Sequence, residues 1–355
     1  MKFAVIGAGN GGQAIAAYLG LSGYFVNLYD RNSDKIKILS EKKGIFLEGK
    51  IEGFGKINLA TCSISEAIRD VDVIMISTVA NAHKELAEQM APFLKNDQII
   101  VLNPGRTCGA LEFKAGLQNA NCSKKVYIAE AQTLVYACRA KEIGRVHIIG
   151  IKDDVLVASL PSSDIDYIIE KLKNVYPCFS PTTNVLRTSL ENIGAIFHPC
   201  VILFNAATIE RGNEFYFYRD MTPNIARFIE KFDAERLAVG KAYGIELIGV
   251  NDWISFAYKG TKGNTLCEKM INNPAYYDIL APSSIYTRQL MEDIPTGVLP
   301  ILELGKAAGL EMKLFESMFS ICSDLLNINF KEKGRTLKNL GLDNFSRTEI
   351  LNYLK

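Results

Sequence analysis

The sequence predicts an α/β protein in two parts: a domain with a doubly wound parallel sheet over residues 1–180, followed by an all-α domain over residues 181–355. Three observations lead there. Apolar runs alternate with helical periods from Met1 to about Gly150, and strands taking turns with helices build a parallel sheet covered on both faces. A glycine-rich turn joins the first run to the first helical period. After Thr188 the alternation stops and long helical periods follow one another, from "SLENIGAIFHPCVILFNAAT" through "IARFIEKFDAERLAVGKAYG" to "GVLPILELGKAAGLEMKLFESMFSICSDLLN".

The first strand, "KFAVIG", runs straight into "AGNGG", so Gly7, Gly9 and Gly12 stand in G-x-G-x-x-G spacing between a strand and a helix. This is the context the dinucleotide-binding (Rossmann) fingerprint requires. The glycines admit a pyrophosphate to the backbone, and the helix N-terminus offers N–H groups and partial positive charge. Gly7, Gly9, Asn10 and Gly12 are the expected cofactor contacts. The second strand, "FVNLYD", ends at Asp30, about 20 residues beyond the fingerprint, where an acidic residue accepts from the adenosine ribose and repels a 2′-phosphate. NAD is therefore the favoured cofactor. Arg31 comes next and suits a 2′-phosphate, which keeps NADP as the alternative.

The third strand, "DVIMIST", places Thr78, Val79 and Ala80 at its carboxyl end, beside the nicotinamide half of a bound dinucleotide. An ordinary strand-to-helix turn is the plainer reading of these three. "QIIVLNP", "KVYIAEA" and "VHIIGIK" supply the remaining strands of the parallel sheet. The domain boundary falls between Asp153 and Thr188, and the terminal "FKEKGRTLKNLGLDNFSRTEILNYLK" reads as a polar coda with a small helix docked on the second domain.

Composition narrows the function. Forty Lys and Arg against 39 Asp and Glu leave a net charge of +1, which recommends neither nucleic acid nor an anionic membrane as a partner. The longest stretch without a formal charge, Asn192 to Ile209, holds Asn192, His198, Pro199 and Asn205, too polar a set to span lipid; it reads as a buried helix pair. The chain enters its first strand at once, with no signal-peptide pattern, so a cytoplasmic protein is expected. Its eight cysteines form no C-x-x-C pair and are expected to be reduced and mostly buried. With three histidines and no metal-ligand spacing, no metal site is expected. Small-molecule substrates fit this profile, and a homodimer is compatible with it.

His198 stands out. Pro199 disfavours the α conformation at His198 and removes a helix donor, so a break or kink that aims the imidazole into a cleft is expected. A histidine satisfied within an apolar core is the competing reading.

Several stretches resemble the opine dehydrogenases, especially the bacterial N-(1-carboxyethyl)-norvaline dehydrogenase branch: "GAGNGGQAIAAYL", "VLNPGRTCGALEF", "NVLRTSLENIGAIFHP", "DAERLAVGKAYG", "NPAYYDILAPSSIYTRQLMEDIPTG" and "KEKGRTLKNLGL". They run over nearly the whole chain. The resemblance implies a nucleotide-binding domain followed by a helical substrate domain. It also implies a reaction: condensation of an amino acid with a 2-oxo acid such as pyruvate, and reduction of the imine by NAD(P)H. It places the catalytic histidine at His198 and its partner carboxylate at Asp293. Arg288 takes the position that holds the amino acid's carboxylate, although Glu292, four residues on, offers an ordinary helix-surface ion pair instead. For the 2-oxo acid the candidates are Glu130, Gln132 and Thr133, where the sequence departs from the norvaline-type pattern.

Two other functions remain open at this point. One is another two-domain NAD(P)-dependent dehydrogenase, of the ketopantoate reductase or glycerol-3-phosphate dehydrogenase kind, which relies on a lysine in the helical domain. The other is a non-catalytic protein that senses NADH, which has no use for a proton donor. The aromatic stretch "ERGNEFYFYRDMTPN" and Trp253 are candidates to wall an apolar or planar substrate side chain, or are core.

Overall fold

The computed structural model describes residues 1–258 and 260–355. It divides into two units, Met1–Ser189 with Asn352–Lys355, and Leu190–Leu351.

The first unit carries strands β1 (Lys2–Ile6), β2 (Phe25–Tyr29), β3 (Gly44–Gly49), β4 (Gly53–Lys56), β5 (Leu59–Thr61), β6 (Val73–Ile76), β7 (Ile99–Leu102), β8 (Tyr127–Ala131), β9 (Tyr136–Glu142), β10 (Arg145–Ile151), β11 (Val155–Leu160) and β12 (Phe179–Pro181). The larger sheet has the order β12-β11-β8-β7-β6-β1-β2-β5. Pairing is parallel from β5 through β8. Strand order steps outward from β1 in both directions, the doubly wound arrangement. A sheet covered on both faces demands apolar residues without alternation, and Phe3 to Ile6 and Val73 to Ile76 are all fully buried. Beyond β8 the rule changes: β11 runs antiparallel to β8, and β12 is parallel to β11.

The run "VHIIGIK" does not join this sheet, contrary to the expectation from sequence. It is β10 of a second sheet, ordered β4-β3-β10-β9. Val146 and Ile148 are buried while Ile149 and Ile151 are exposed, the alternation of a strand covered on one face only. The helix Asn10–Leu21 packs against both sheets, which is why it is apolar on nearly every side and lacks a polar stripe.

The second unit is helical; among its described residues only the isolated bridge Tyr216–Leu280 pairs as β structure. Its longest helix, Pro223–Ala242, is capped by Thr222, whose hydroxyl accepts from Ile225 N–H. Phe232 of that helix stacks on Phe315 at 4.0 Å between ring centroids. Arg236 is fully buried, a costly placement that needs a partner for each face of the guanidinium. It donates to Asp233 Oδ1 (2.6 Å), Leu190 O (2.8 Å) and Ile248 O (2.8 Å), while Asp233 Oδ2 accepts from Val250 N–H (2.8 Å).

Four further expectations meet the structure differently. The helix Gly194–Phe204 runs on through Pro199 without a break, because the proline sits inside a helix packed on the core of its unit, and that packing outweighs one lost hydrogen bond. It is followed by the short helix Ala206–Glu210, of which only Ile209 is buried. The end of the coda belongs to the first unit: Ser162 N–H donates to Leu354 O (2.7 Å), and Lys114 Nζ lies 4.4 Å from the Tyr353 ring centre. All eight cysteines are free thiols, but only Cys108, Cys200, Cys267 and Cys322 are buried.

Candidate active site

The glycine turn follows β1. Gly7 has φ +101°, and a Cβ there would lie 2.6 Å from Ser77 O. A Cβ at Gly12 would lie 1.7 Å from Gly7 O, so the turn closes only with glycine at both positions. Gly9 differs: nothing stands within 4 Å of the Cβ it lacks. The fold does not need glycine there, and the open space lies over the start of the helix Asn10–Leu21, whose N-cap, Gly9, makes no side-chain hydrogen bond to it. A pyrophosphate fits that place. Asn10 has another task as well, since its side-chain oxygen accepts from Ala140 N–H (3.1 Å) and ties the turn to β9.

Asp30, at the end of β2, is held in place. Its Oδ2 accepts from Ala8 N–H (2.7 Å) and from Lys35 Nζ (3.0 Å), and its Oδ1 from Asn32 N–H (3.0 Å). Burial alone would raise its pKa, but these N–H groups and the Lys35 ammonium together hold it below the ordinary aspartate value. Arg31 is exposed beside it. After β6, Thr78 Oγ1 is buried with no hydrogen-bond partner, Val79 is exposed, and Ala80 is buried. A ligand over Thr78 would satisfy that hydroxyl.

Of the three residues expected to meet the 2-oxo acid, Glu130 is withdrawn from solvent altogether. Its Oε2 accepts from Ala110 N–H (2.8 Å), and its Oε1 from Thr188 Oγ1 (2.6 Å) and Ser189 Oγ (2.8 Å). A buried carboxylate engaged in this way braces the loop after β7 and has nothing to offer an anionic substrate. Gln132 and Thr133 lie just beyond β8: Gln132 Oε1 is buried without a partner, and Thr133 Oγ1 accepts from Lys152 Nζ.

In the second unit, His198 and Asp293 come together across a separation of 95 residues, with His198 Nδ1 2.6 Å from Asp293 Oδ2. The Asp293 side chain is 3% exposed and that of His198 17%, so the pair is sunk while the imidazole keeps an open edge. Asp293 leads into a π-helical turn, Ile294–Val298. Gly297 of this turn allows the approach, because a Cβ there would lie 2.5 Å from Ala195 Cβ on the helix that bears His198. A carboxylate accepts, so Nδ1 carries the proton and Nε2 the lone pair. Nε2 then accepts from Tyr218 O–H, 3.1 Å away. Tyr218 is a partner of the imidazole that sequence reasoning treated only as part of an aromatic stretch; its signal was a polar tip among buried rings.

Arg288 opens the short helix Arg288–Met291 and donates from Nη1 to Glu292 Oε2 (2.7 Å), the i,i+4 pair that its sequence suggests. The two ends are unequal: Glu292 is 4% exposed and Arg288 57%. A buried carboxylate thus grips one corner of a guanidinium whose remaining donors face solvent, which leaves a fork for a second carboxylate.

Comparison with known proteins identifies the family. Residues 181–326 match the family described as NAD/NADP octopine/nopaline dehydrogenase, alpha-helical domain, and residues 2–102 match NADP oxidoreductase, coenzyme F420-dependent. The opine dehydrogenase of Arthrobacter sp. (strain 1C) is 37% identical over 350 residues, 98% of this chain and 97% of that one. An octopine dehydrogenase solved with NADH and L-arginine superposes with a TM-score of 0.83 at 18% identity, covering 100% of this chain and 98% of the other. A structure of octopine dehydrogenase with NADH and pyruvate superposes at 0.76 and 18% identity, covering 97% and 96%. No helix among the described residues is long and apolar enough to cross a membrane. With a relative this similar over nearly its whole length, the chain belongs to the opine dehydrogenase family and is an NAD(P)-dependent oxidoreductase acting on CH–NH donors.

Proposed function

We propose that the enzyme joins the amine of an amino acid to a 2-oxo acid of the pyruvate type and reduces the imine to an N-(1-carboxyalkyl) amino acid, with NADH preferred to NADPH, and that it also runs the reverse oxidation. The observation that carries this reading is His198, fixed at Nδ1 by Asp293 and presenting a basic Nε2. Condensation is proton traffic. Nε2 takes a proton from the attacking amine and passes it to the oxygen to give the carbinolamine, then moves a second proton from that nitrogen to the hydroxyl, which leaves as water; in the reverse direction it takes the proton of the secondary amine. Asp293 stabilises the imidazolium during each transfer. Arg288 holds the amino acid's carboxylate on its exposed fork.

The cofactor fits the first unit. The open space at Gly9 and the helix N-terminus take the pyrophosphate, Asp30 the adenosine ribose, and Thr78 with Val79 the nicotinamide end. Bound there, the reduced nicotinamide supplies the hydride that turns the imine into an amine. The complexes of octopine dehydrogenase with L-arginine and with pyruvate support the two substrate classes. A reducing compartment, the cytoplasm, suits the eight free thiols.

The test is a matrix of amino acids against pyruvate, glyoxylate and 2-oxobutyrate, read by loss of NADH and of NADPH. Consumption that requires both an amino acid and a 2-oxo acid is expected. Reduction of a 2-oxo acid alone, or no consumption with any pair, overturns the reading.

A further inference from the structure

Both nitrogens of His198 are engaged, Nδ1 with Asp293 Oδ2 (2.6 Å) and Nε2 with the Tyr218 hydroxyl (3.1 Å). An imidazole nitrogen has a single lone pair, in the plane of the ring, so with the proton on Nδ1 the lone pair of Nε2 is spent on the Tyr218 O–H. The phenol is not placed to swing aside. Its ring stacks on Tyr276 with centroids 4.3 Å apart and 21° between planes, and it meets Phe217 edge-on at 4.7 Å and Phe197 at 6.3 Å. Tyr276 is held in turn by a 2.6 Å hydrogen bond between its hydroxyl and that of Tyr258. The backbone is tied as well: Phe217 N–H donates to Ile279 O (2.8 Å) and Ala281 N–H to Phe215 O (2.9 Å), flanking the bridge between Tyr216 and Leu280. Tyr218 as a whole is 8% exposed.

A base whose lone pair is covered by a fixed hydroxyl takes up a proton through that hydroxyl. We propose that Tyr218 is the outer member of a proton relay, Asp293–His198–Tyr218, and that the proton Nε2 takes up arrives by way of the phenol oxygen. The step balances. The attacking amine gives a proton to the Tyr218 oxygen while the phenol O–H gives its own to Nε2; an N–H and an O–H bond break, and an O–H and an Nε2–H bond form. The phenol stays neutral, and the positive charge rests on the imidazolium beside Asp293. The reverse shift delivers a proton to the oxygen that leaves as water, and in the oxidative direction the proton of the secondary amine takes the same path. A hydroxyl suits this place because it donates and accepts at once. The relay rests on the reading of the enzyme as one that condenses an amino acid with a 2-oxo acid, and it adds a route for the proton without altering that chemistry.

The experiment compares Tyr218→Phe with the wild type, alone and combined with His198→Ala, and measures kcat, KM for the amino acid and the 2-oxo acid, and NADH binding by fluorescence. Phe keeps the ring contacts and removes only the hydroxyl. The relay predicts that kcat falls roughly ten- to a hundredfold, short of the 10²–10⁴-fold loss typical of the base itself. Both KM values and Kd for NADH should stay within about twofold of wild type, and in the His198→Ala background the same substitution should cost nothing further, because the phenol acts through the imidazole. Wild-type or faster turnover in Tyr218→Phe overturns the proposal, since the hydroxyl would then merely cover Nε2. A loss that persists in full in His198→Ala also overturns it and marks a structural role. Mixtures of H2O and D2O separate a relay from a brace. Wild-type kcat should fall along a curve as deuterium content rises, because two protons move together; a straight line or no dependence overturns the relay. Should Tyr218→Phe not fold, this measurement on the wild type decides alone. A wild-type enzyme inert toward every amino acid and 2-oxo acid pair overturns the underlying reading, and the relay with it, before any variant is made.

Discussion

Replacing Asp293 by Asn removes one charge from the His198 pair and little else, because Asn is nearly isosteric and its side-chain oxygen still accepts from Nδ1–H at the 2.6 Å contact. What is lost is the charge that stabilises the imidazolium when Nε2 takes a proton. The contact is almost wholly desolvated on the Asp293 side, at 3% exposure, so water does not replace that charge. A hydrogen bond to a charged group contributes about 1.5–3 kcal/mol, and one decade of rate corresponds to about 1.4 kcal/mol. Asp293→Asn should therefore slow turnover roughly 10- to 150-fold. His198→Ala removes the base itself and should cost about 10²–10⁴-fold. The double variant should be no slower than His198→Ala, since the two residues act as one unit. Steady-state turnover under saturating substrates is the assay, with NADH binding as the control; the nucleotide-binding groups lie in the other unit and should be untouched. Near-native turnover in His198→Ala, or additive losses in the double variant, would refute the reasoning.

The other expectations can be checked one by one. Gly9→Ala should leave the melting temperature unchanged, since its Cβ meets open space, and should weaken NADH binding at least tenfold, read by fluorescence titration. Arg288→Lys keeps the charge but loses the fork, so KM for the amino acid should rise strongly while KM for the 2-oxo acid does not; equal amino-acid KM values would return Arg288 to its surface pair with Glu292. Asp30→Ala should narrow the gap between NADH and NADPH affinity. Because the folded pKa of Asp30 is lowered, its contacts add stability at pH values above the unfolded aspartate pKa and lose it as acid carries pH down through the folded value, an effect Asp30→Ala should remove from the acid denaturation profile. Glu130→Gln should destabilise the protein by about 1–3 kcal/mol in urea unfolding. It exchanges one of the oxygens that serve Ala110, Thr188 and Ser189 for a donor that faces donors, and KM for pyruvate in the folded fraction should not change.

Short-range pattern in the sequence was enough for the parallel core, the glycine turn and the switch to helices. An uninterrupted apolar run such as Phe3 to Ile6 means burial on both faces wherever its neighbours lie, and the spacing of Gly7, Gly9 and Gly12 is dictated by backbone contacts within a few residues. His198 and Asp293 were legible as a pair only through resemblance to a family, because no local signal links residues 95 apart. Tertiary structure decided what depends on distant partners. "VHIIGIK" reads as a strand in any context, but which sheet it joins is set by pairing with β3, about a hundred residues earlier. Glu130 looks like a polar residue at a strand end, and only the arrival of Thr188 and Ser189 shows that its oxygens are already taken. Lys152 and Tyr218 carry no motif; packing brings one to Thr133 and the other to His198 Nε2. Backbone geometry repeats over a few residues and can be read from text, whereas desolvation and electrostatic pairing depend on whatever the folded chain sets within a few ångströms.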